Sequence, residues 1–262
     1  MSRKSRKSPN RRYRPANAVY VLPNLLTTLN LFFGFLSIIM SINGRFTTAA
    51  MALLISILFD ILDGRVARMT NATSHFGKEF DSLVDLVSFG VAPAILAYLW
   101  GMITIDRFGW LVAFLFVACG SLRLARFNTI PGGQSYFLGF PIPAAAAVIS
   151  TGVLFCSEFD YIPSSVLVLI CLVVLSFLMI SNIRYPSMKK SFGRRRINFQ
   201  LLVVAVLLVV FIAARPKVAL FTIAMGYFLS GPIWYGKYLL TRTREPETDL
   251  PSSLPEDTSQ KE

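Results

Sequence analysis

A chain of 262 residues that is 54% hydrophobic and only 15% charged departs strongly from the composition of a water-soluble domain. Its net charge of +12 could suit a nucleic-acid partner, but the basic residues are sorted by loop, as membrane topology sorts them, which argues against that class. Apolar runs of roughly twenty residues, the length that crosses a bilayer, recur along almost the whole chain.

Residues 1–16 are basic (Arg3, Lys4, Arg6, Lys7, Arg11, Arg12 and Arg14) and lack apolar periodicity, so they read as a disordered arm attracted to anionic headgroups. This basic region leads into a full-length span with no small-residue cleavage pattern, so no cleavable signal peptide is expected. Eight spans follow, at 21–42, 47–63, 80–102, 108–126, 141–157, 164–183, 198–214 and 217–238. The expected fold is therefore an all-α integral membrane bundle of about eight transmembrane helices, with a membrane domain over 17–240 and a disordered tail over 241–262.

The first span opens Pro23-Asn24-Leu25-Leu26-Thr27-Thr28-Leu29-Asn30, and Asn24, Thr27 and Thr28 share a helical face. That face could bond a lipid headgroup or a neighbouring helix, and the sequence leaves both open. The second span ends in Asp60-Ile61-Leu62-Asp63-Gly64-Arg65-Val66-Ala67-Arg68. A short loop with the lone His75 leads to Gly77, Asp81 and Asp85 at the start of the third. The fourth span ends in Arg123-Leu124-Ala125-Arg126-Phe127-Asn128, followed by a loop from Pro131-Gly132-Gly133 to Gly139-Phe140-Pro141-Ile142-Pro143. Arg123 and Arg126, at i and i+3, could take a carboxylate or phosphate, or else snorkel to the interface. Cys119, Cys156 and Cys171 have no metal-ligand or pairing pattern and read as small core residues. The last two spans carry little beyond apolar side chains.

With eight spans and the N-terminus inside, every lysine and arginine except Arg45, Arg107, Arg215 and Lys217 falls on one side. This positive-inside pattern puts both termini in the cytoplasm and brings both acidic segments to the same cytoplasmic edge.

Carboxylates at membrane depth are expensive unless they pair, bind metal or line a wet cavity. At about 100° per residue, Asp60, Asp63, Gly64 and Ala67 share one face and Gly77, Asp81 and Asp85 another. Two helices each offering two carboxylates make an oxygen cage for a hard cation, so Mg2+ or Mn2+ is expected rather than Zn2+. Gly64 and Gly77 leave room for close approach, and the Arg68 guanidinium suits phosphate. Paired divalent cations beside an arginine describe a phosphoryl-transfer site. A lone histidine leaves general-base chemistry to a carboxylate.

The run Asp60-x-x-Asp63-Gly64-x-x-Ala67-Arg68-x8-Gly77-x-x-x-Asp81-x-x-x-Asp85 resembles the defining motif of the CDP-alcohol phosphatidyltransferases at every fixed position. Its surroundings, Pro23-Asn24-Leu25-Leu26-Thr27, Phe80–Ala94, Arg123–Asn128 and Gly139–Pro143, look like those of the membrane-embedded phosphatidylserine synthases of bacteria and archaea. The resemblance implies a two-metal site on Asp60, Asp63, Asp81 and Asp85, with Asp85 also the general base. It implies Gly64, Ala67 and Arg68 against the CDP moiety of CDP-diacylglycerol, with Gly77, Asn24 and Thr27 in the same donor site. L-serine would be the acceptor, with Arg123, Arg126 and Asn128 as its candidate contacts. It further implies a homodimer in the bacterial cytoplasmic membrane with the active site facing the cytoplasm. Two other readings compete: a sister enzyme using glycerol 3-phosphate or inositol phosphate, and a transporter with an acidic ion path. The second fits poorly, because the acids cluster at one edge instead of running through several spans.

Overall fold

The computed structural model describes residues 16–70, 74–129, 137–181, 183–185 and 209–242. Apart from one two-residue ladder, the regular structure among them is helical, as expected where the solvent cannot satisfy backbone N–H and C=O groups. Three continuous helical runs are long and apolar enough to cross a membrane: Val21–Ile42, Phe46–Met69 and His75–Thr129. This is the architecture of a membrane helical protein.

Helix α1 (Ala16–Ile42) shows how such a sequence builds a bundle. Pro23, Thr27, Asn30, Gly34, Ser37 and Ser41 form its buried seam, whereas Val21, Leu25, Phe32, Phe35 and Ile39 are exposed. Small and polar side chains turn inward and large apolar ones outward, the reverse of a soluble helix and the pattern of packing against lipid. The seam runs along α2 (Phe46–Met69) after a tight turn at Asn43–Arg45, where Gly44 has φ +70°.

Helix α3 (His75–Asp85) starts with a Ser74 cap whose Oγ accepts from the Gly77 amide at 2.9 Å. Its register slips into a π-helical segment, Leu86–Val91, before α4 (Ala92–Ala97) and a second π-helical segment, Tyr98–Met102. The chain reverses at Asp106, at φ +45°, and α5 (Asp106–Thr129) returns along the first π-helical segment. Gly109 permits that hairpin, because a Cβ there would lie 2.6 Å from the Met102 carbonyl oxygen. The expected spans 80–102 and 108–126 are the two arms of this hairpin.

Residues Phe137–Leu138 pair antiparallel with Arg184–Tyr185, beside α6 (Ile142–Glu158) and α7 (Ser165–Ile180). Gly139 sits at φ +79° with the Met179 carbonyl oxygen where a Cβ would collide with it, so no other residue fits. α6 packs between α2 and α8 (Pro216–Arg242), and Glu158 pairs with Arg215 at 3.2 Å and Lys217 at 2.9 Å. The core of Leu53, Phe89, Phe116, Phe140, Ile142 and Leu175 is fully buried at the meeting of α2, α5, α6 and α7.

Several boundaries differ from expectation. α2 continues six residues past the expected end of the apolar span at 63, so Gly64–Arg68 is helical, as the shared face of Asp60, Asp63, Gly64 and Ala67 requires. His75, expected in a loop, is the first residue of α3, because Ser74 caps the helix just before it. α1 begins at Ala16 and α8 runs to Arg242, across the expected boundaries of both tails. The remaining arm and tail, the 131–133 loop and the Arg194–Arg196 run lie outside the described residues, as does most of the seventh span, of which 209–214 is helical.

Candidate active site

Both acidic segments are helical, so their side-chain directions are set by the backbone. α2 and α3 meet against α1, and this junction gathers the aspartates. One carboxylate oxygen from each of Asp60, Asp63 and Asp81 lies within 4.8 Å of the others. Asp85 completes the group, with its carboxyl in hydrogen-bond contact with that of Asp60. Asp63 is buried at 5% exposure, and Asp60, Asp81 and Asp85 are half-buried. Like charges at such distances repel strongly in a medium of low dielectric, so the cluster calls for a cation or for protons.

The fit to a hard cation rests on the donors themselves. Asp63 Oδ2, Asp81 Oδ1 and Asp85 Oδ1 are buried without a hydrogen-bond partner among the described residues. Three inward-turned carboxylate oxygens, with no imidazole or thiolate in the cluster, match the preference of Mg2+ or Mn2+.

α1 forms one wall. The Thr27 hydroxyl and the Gly64 amide lie near the Asp63 carboxyl. Thr27 also bonds the Pro23 carbonyl at 3.1 Å, and Thr28, exposed, bonds the Asn24 carbonyl at 2.8 Å. The polar face of α1 thus divides: Asn24 and Thr27 face the site, and Thr28 does not. Gly77 abuts Asn24, whose Oδ1 would be 3.4 Å from a Cβ there. Gly64 lies beneath the Arg68 guanidinium, whose nitrogens are 3.8 and 3.9 Å from a Cβ position. Ala67 is half-buried on the same turn, and Arg68 beside it is exposed, at the mouth of the site.

α5 closes the other side. Arg123 is turned inward, within electrostatic reach of Asp85 and of Tyr227 on α8, and its buried Nε has no hydrogen-bond partner among the described residues. Asn128 Nδ2 donates to Ser82 Oγ at 2.9 Å and so ties the end of α5 to α3 between Asp81 and Asp85. Arg126 is exposed. The structure therefore separates the two arginines: Arg123 is not snorkelling, and Arg126 lies at the surface.

Tyr227 is a residue that sequence reasoning missed, because the last helix looks apolar throughout. It packs on Phe140 with ring centroids 5.7 Å apart and lies within electrostatic reach of Arg123. Asn30, Ser56 and Ser88 escaped it as well. Ser56 stands one turn before Asp60, and that spacing was a usable signal. His75, on the exposed start of α3, is not among the clustered acids.

Comparison with known proteins agrees with this geometry. The chain is 40% identical over 219 residues to the CDP-diacylglycerol–serine O-phosphatidyltransferase of Helicobacter pylori, covering 82% of this chain and 90% of that one. It is 46% identical over 169 residues to the archaetidylserine synthase of Methanothermobacter thermautotrophicus, covering 63% of this chain and 69% of the relative. The corresponding serine O-phosphatidyltransferase of Bacillus subtilis is 37% identical over 169 residues, 64% of this chain and 92% of its own length. Residues 20–178 match the CDP-alcohol phosphatidyltransferase family, and the span includes every aspartate of the cluster. The chain belongs to the CDP-alcohol phosphatidyltransferase family.

Proposed function

We propose that this protein transfers the phosphatidyl group of CDP-diacylglycerol to the hydroxyl of L-serine, giving phosphatidylserine and CMP. The observation that carries the reading is the convergence of carboxylate oxygens from α2 and α3 on one point, with Asp85 beside them.

In this reading Asp60, Asp63, Asp81 and Asp85 hold Mg2+ or Mn2+, which offsets charge on the pyrophosphate oxygens when bound. Gly64, Ala67 and Gly77 form a small-residue cradle for the CDP moiety. Arg68 offers its guanidinium to a phosphate at the mouth, and Asn24 and Thr27 line the α1 side. Asp85 accepts the proton of the serine hydroxyl as its oxygen bonds to phosphorus. The bond from phosphorus to the CMP phosphate oxygen breaks, and CMP departs with that electron pair. Arg123 is placed to receive the serine carboxylate, with Tyr227 beside it. Of the two further acceptor candidates, Asn128 acts through Ser82, and Arg126 serves at the entrance.

The same reading extends to topology. Eight spans, both termini and the active site on the cytoplasmic side, and a bacterial-type inner membrane are supported by the distribution of basic residues. Also in support, Arg45 and Arg107 stand at the turns opposite the aspartates, and Arg215 and Lys217 pair with Glu158 at the far end of α6. A homodimer follows from the family resemblance.

Purified protein in mixed micelles with CDP-diacylglycerol and Mn2+, assayed for CMP release with L-serine, glycerol 3-phosphate or inositol phosphate, tests the reading. Serine-dependent release is expected. Release with a phosphorylated acceptor and not with serine would replace the acceptor while keeping the donor chemistry.

A further inference from the structure

One turn deeper in the bundle than Asp60 and Asp85, residue 30 of α1 takes hydrogen bonds from α2 and from the π-helical segment that continues α3. Ser56 Oγ donates to the Asn30 side-chain oxygen and lies 3.1 Å from the Asn30 carbonyl oxygen. From the other side, Ser88 Oγ bonds the same carbonyl at 3.3 Å. Asn30, Ser56 and Ser88 are each 0% exposed. Ser56 precedes Asp60 by four residues on α2, about 6 Å along the axis at 1.5 Å per residue. Ser88 follows Asp85 by three residues, inside the π-helical segment.

The backbones at this level are also unusually close. A Cβ on Gly34 would collide with Ser88 Oγ and sit 2.8 Å from Ser88 Cα. Nothing but hydrogen separates α1 from the π-helical segment there, so the segment cannot shift towards α1. A π-turn places its side chains off the α-helical register, and this one begins at the residue after Asp85.

We infer that the Asn30–Ser56–Ser88 knot is a positioning device that fixes the separation of the Asp60/Asp63 pair from the Asp81/Asp85 pair. α2 carries one pair and α3 the other, and residue 30 is the point at which a third helix bonds both. The inference rests on the proposed cation-binding role of the aspartates. The knot touches neither substrate nor cation, and it acts by holding two helices at one spacing. Groups that hydrogen-bond metal ligands directly contribute about 10- to 100-fold in affinity, and a spacing device one turn away is expected at the lower end of that range.

The test is Mn2+ binding followed by the electron paramagnetic resonance of free Mn2+, beside the metal dependence of CMP release. Ser56→Ala with Ser88→Ala should weaken Mn2+ binding about tenfold or more and raise the Mn2+ needed for half-maximal rate, with the KM for serine little changed. The two single variants should combine non-additively, because they share one acceptor residue. Ser56→Thr, which keeps the hydroxyl, should restore affinity. Ser41→Ala serves as the structural control: it removes an equally buried hydroxyl that bonds its own helix, at the Ser37 carbonyl. It should lower the melting temperature, if anything, and leave Mn2+ affinity alone. A folded double variant that binds Mn2+ like the parent overturns the inference, as does an equal loss in Ser41→Ala. Tight Mn2+ binding that the double variant loses, in a protein that releases no CMP with serine, would sink the acceptor reading and leave the knot standing.

Discussion

At the residue scale, the four aspartates differ in surroundings, and their substitutions should differ accordingly. Asp85 lies against Asp60 and within electrostatic reach of Arg123, between a cation ligand and the acceptor's expected partner. Asp85→Asn should lower the rate of CMP release by about 10²–10⁴-fold, the range of a lost general base, without loss of folded protein. A retained rate in labelled-serine assays would remove Asp85 from that role. Arg123 and Arg126 look equivalent in sequence, three residues apart on one helix. The structure turns one inward and leaves the other at the surface. Arg123→Lys should raise the KM for serine about tenfold or more, since a planar fork and a point charge hold a carboxylate differently. Arg126→Lys should change it far less. The aspartates are legible in sequence because carboxylates at helical intervals in an apolar chain are too costly to keep without a partner or a cation. Tyr227 is not legible: a tyrosine in a hydrophobic helix carries no signal until Phe140 and Arg123 are seen beside it.

At the element scale, hydropathy finds the helices well and their ends poorly. It stops α2 at Asp63, because the residues after it are charged. The backbone continues to Met69, since the carboxylates and Arg68 are served by the site and its mouth and not by lipid. The same bias puts His75 in a loop, although Ser74 is a good N-cap by residue type. The π-helical segments are invisible in sequence, because a one-residue change of register leaves no mark on composition. The turn at Gly139 is the element most sensitive to a single methyl group. It joins α6 to the end of α7, through the Phe140 amide bonded to the Leu178 carbonyl at 3.0 Å. Gly139→Ala combines positive φ with a collision against the Met179 carbonyl. It should destabilise the fold by about 1–3 kcal/mol or more, read as a lower melting temperature in detergent. The Glu158 pairs with Arg215 and Lys217 form the contrasting case: both cations are substantially exposed, and Glu158→Gln should leave the melting temperature in detergent nearly unchanged.

At the scale of the whole molecule, a fold that draws four carboxylates together should be less stable without a counter-charge. Stripping divalent cations with EDTA should lower the melting temperature of the wild type, and Mn2+ should restore it. At a hundredfold excess over the dissociation constant, binding contributes about 2.7 kcal/mol. Asp63→Asn should blunt that response. A melting temperature indifferent to Mn2+ in the wild type would remove the cation from the site. The helical membrane architecture and the placing of the acidic pairs at the end of α2 and the start of α3 follow from hydropathy and charge alone. The hairpin that returns α5 to the site follows from a backbone reversal at Asp106, where an aspartate at positive φ gives no clear signal in sequence.

The buried seam of α1 also bears on the order in which the bundle assembles. α1 is made before α2, and in lipid the Asn30 side chain has no water to bond and its own helix already uses the backbone groups. Ser56 is the earliest partner the chain supplies for it, and it arrives on α2 after a turn of three residues, Asn43–Arg45. The α1–α2 hairpin is thus the first unit able to satisfy that amide oxygen, before Asp81, Asp85 or Ser88 has left the ribosome. When α3 comes in, it meets a surface on which Thr27, Asn30 and Gly34 are already in place, so half of the site is a template for the other half.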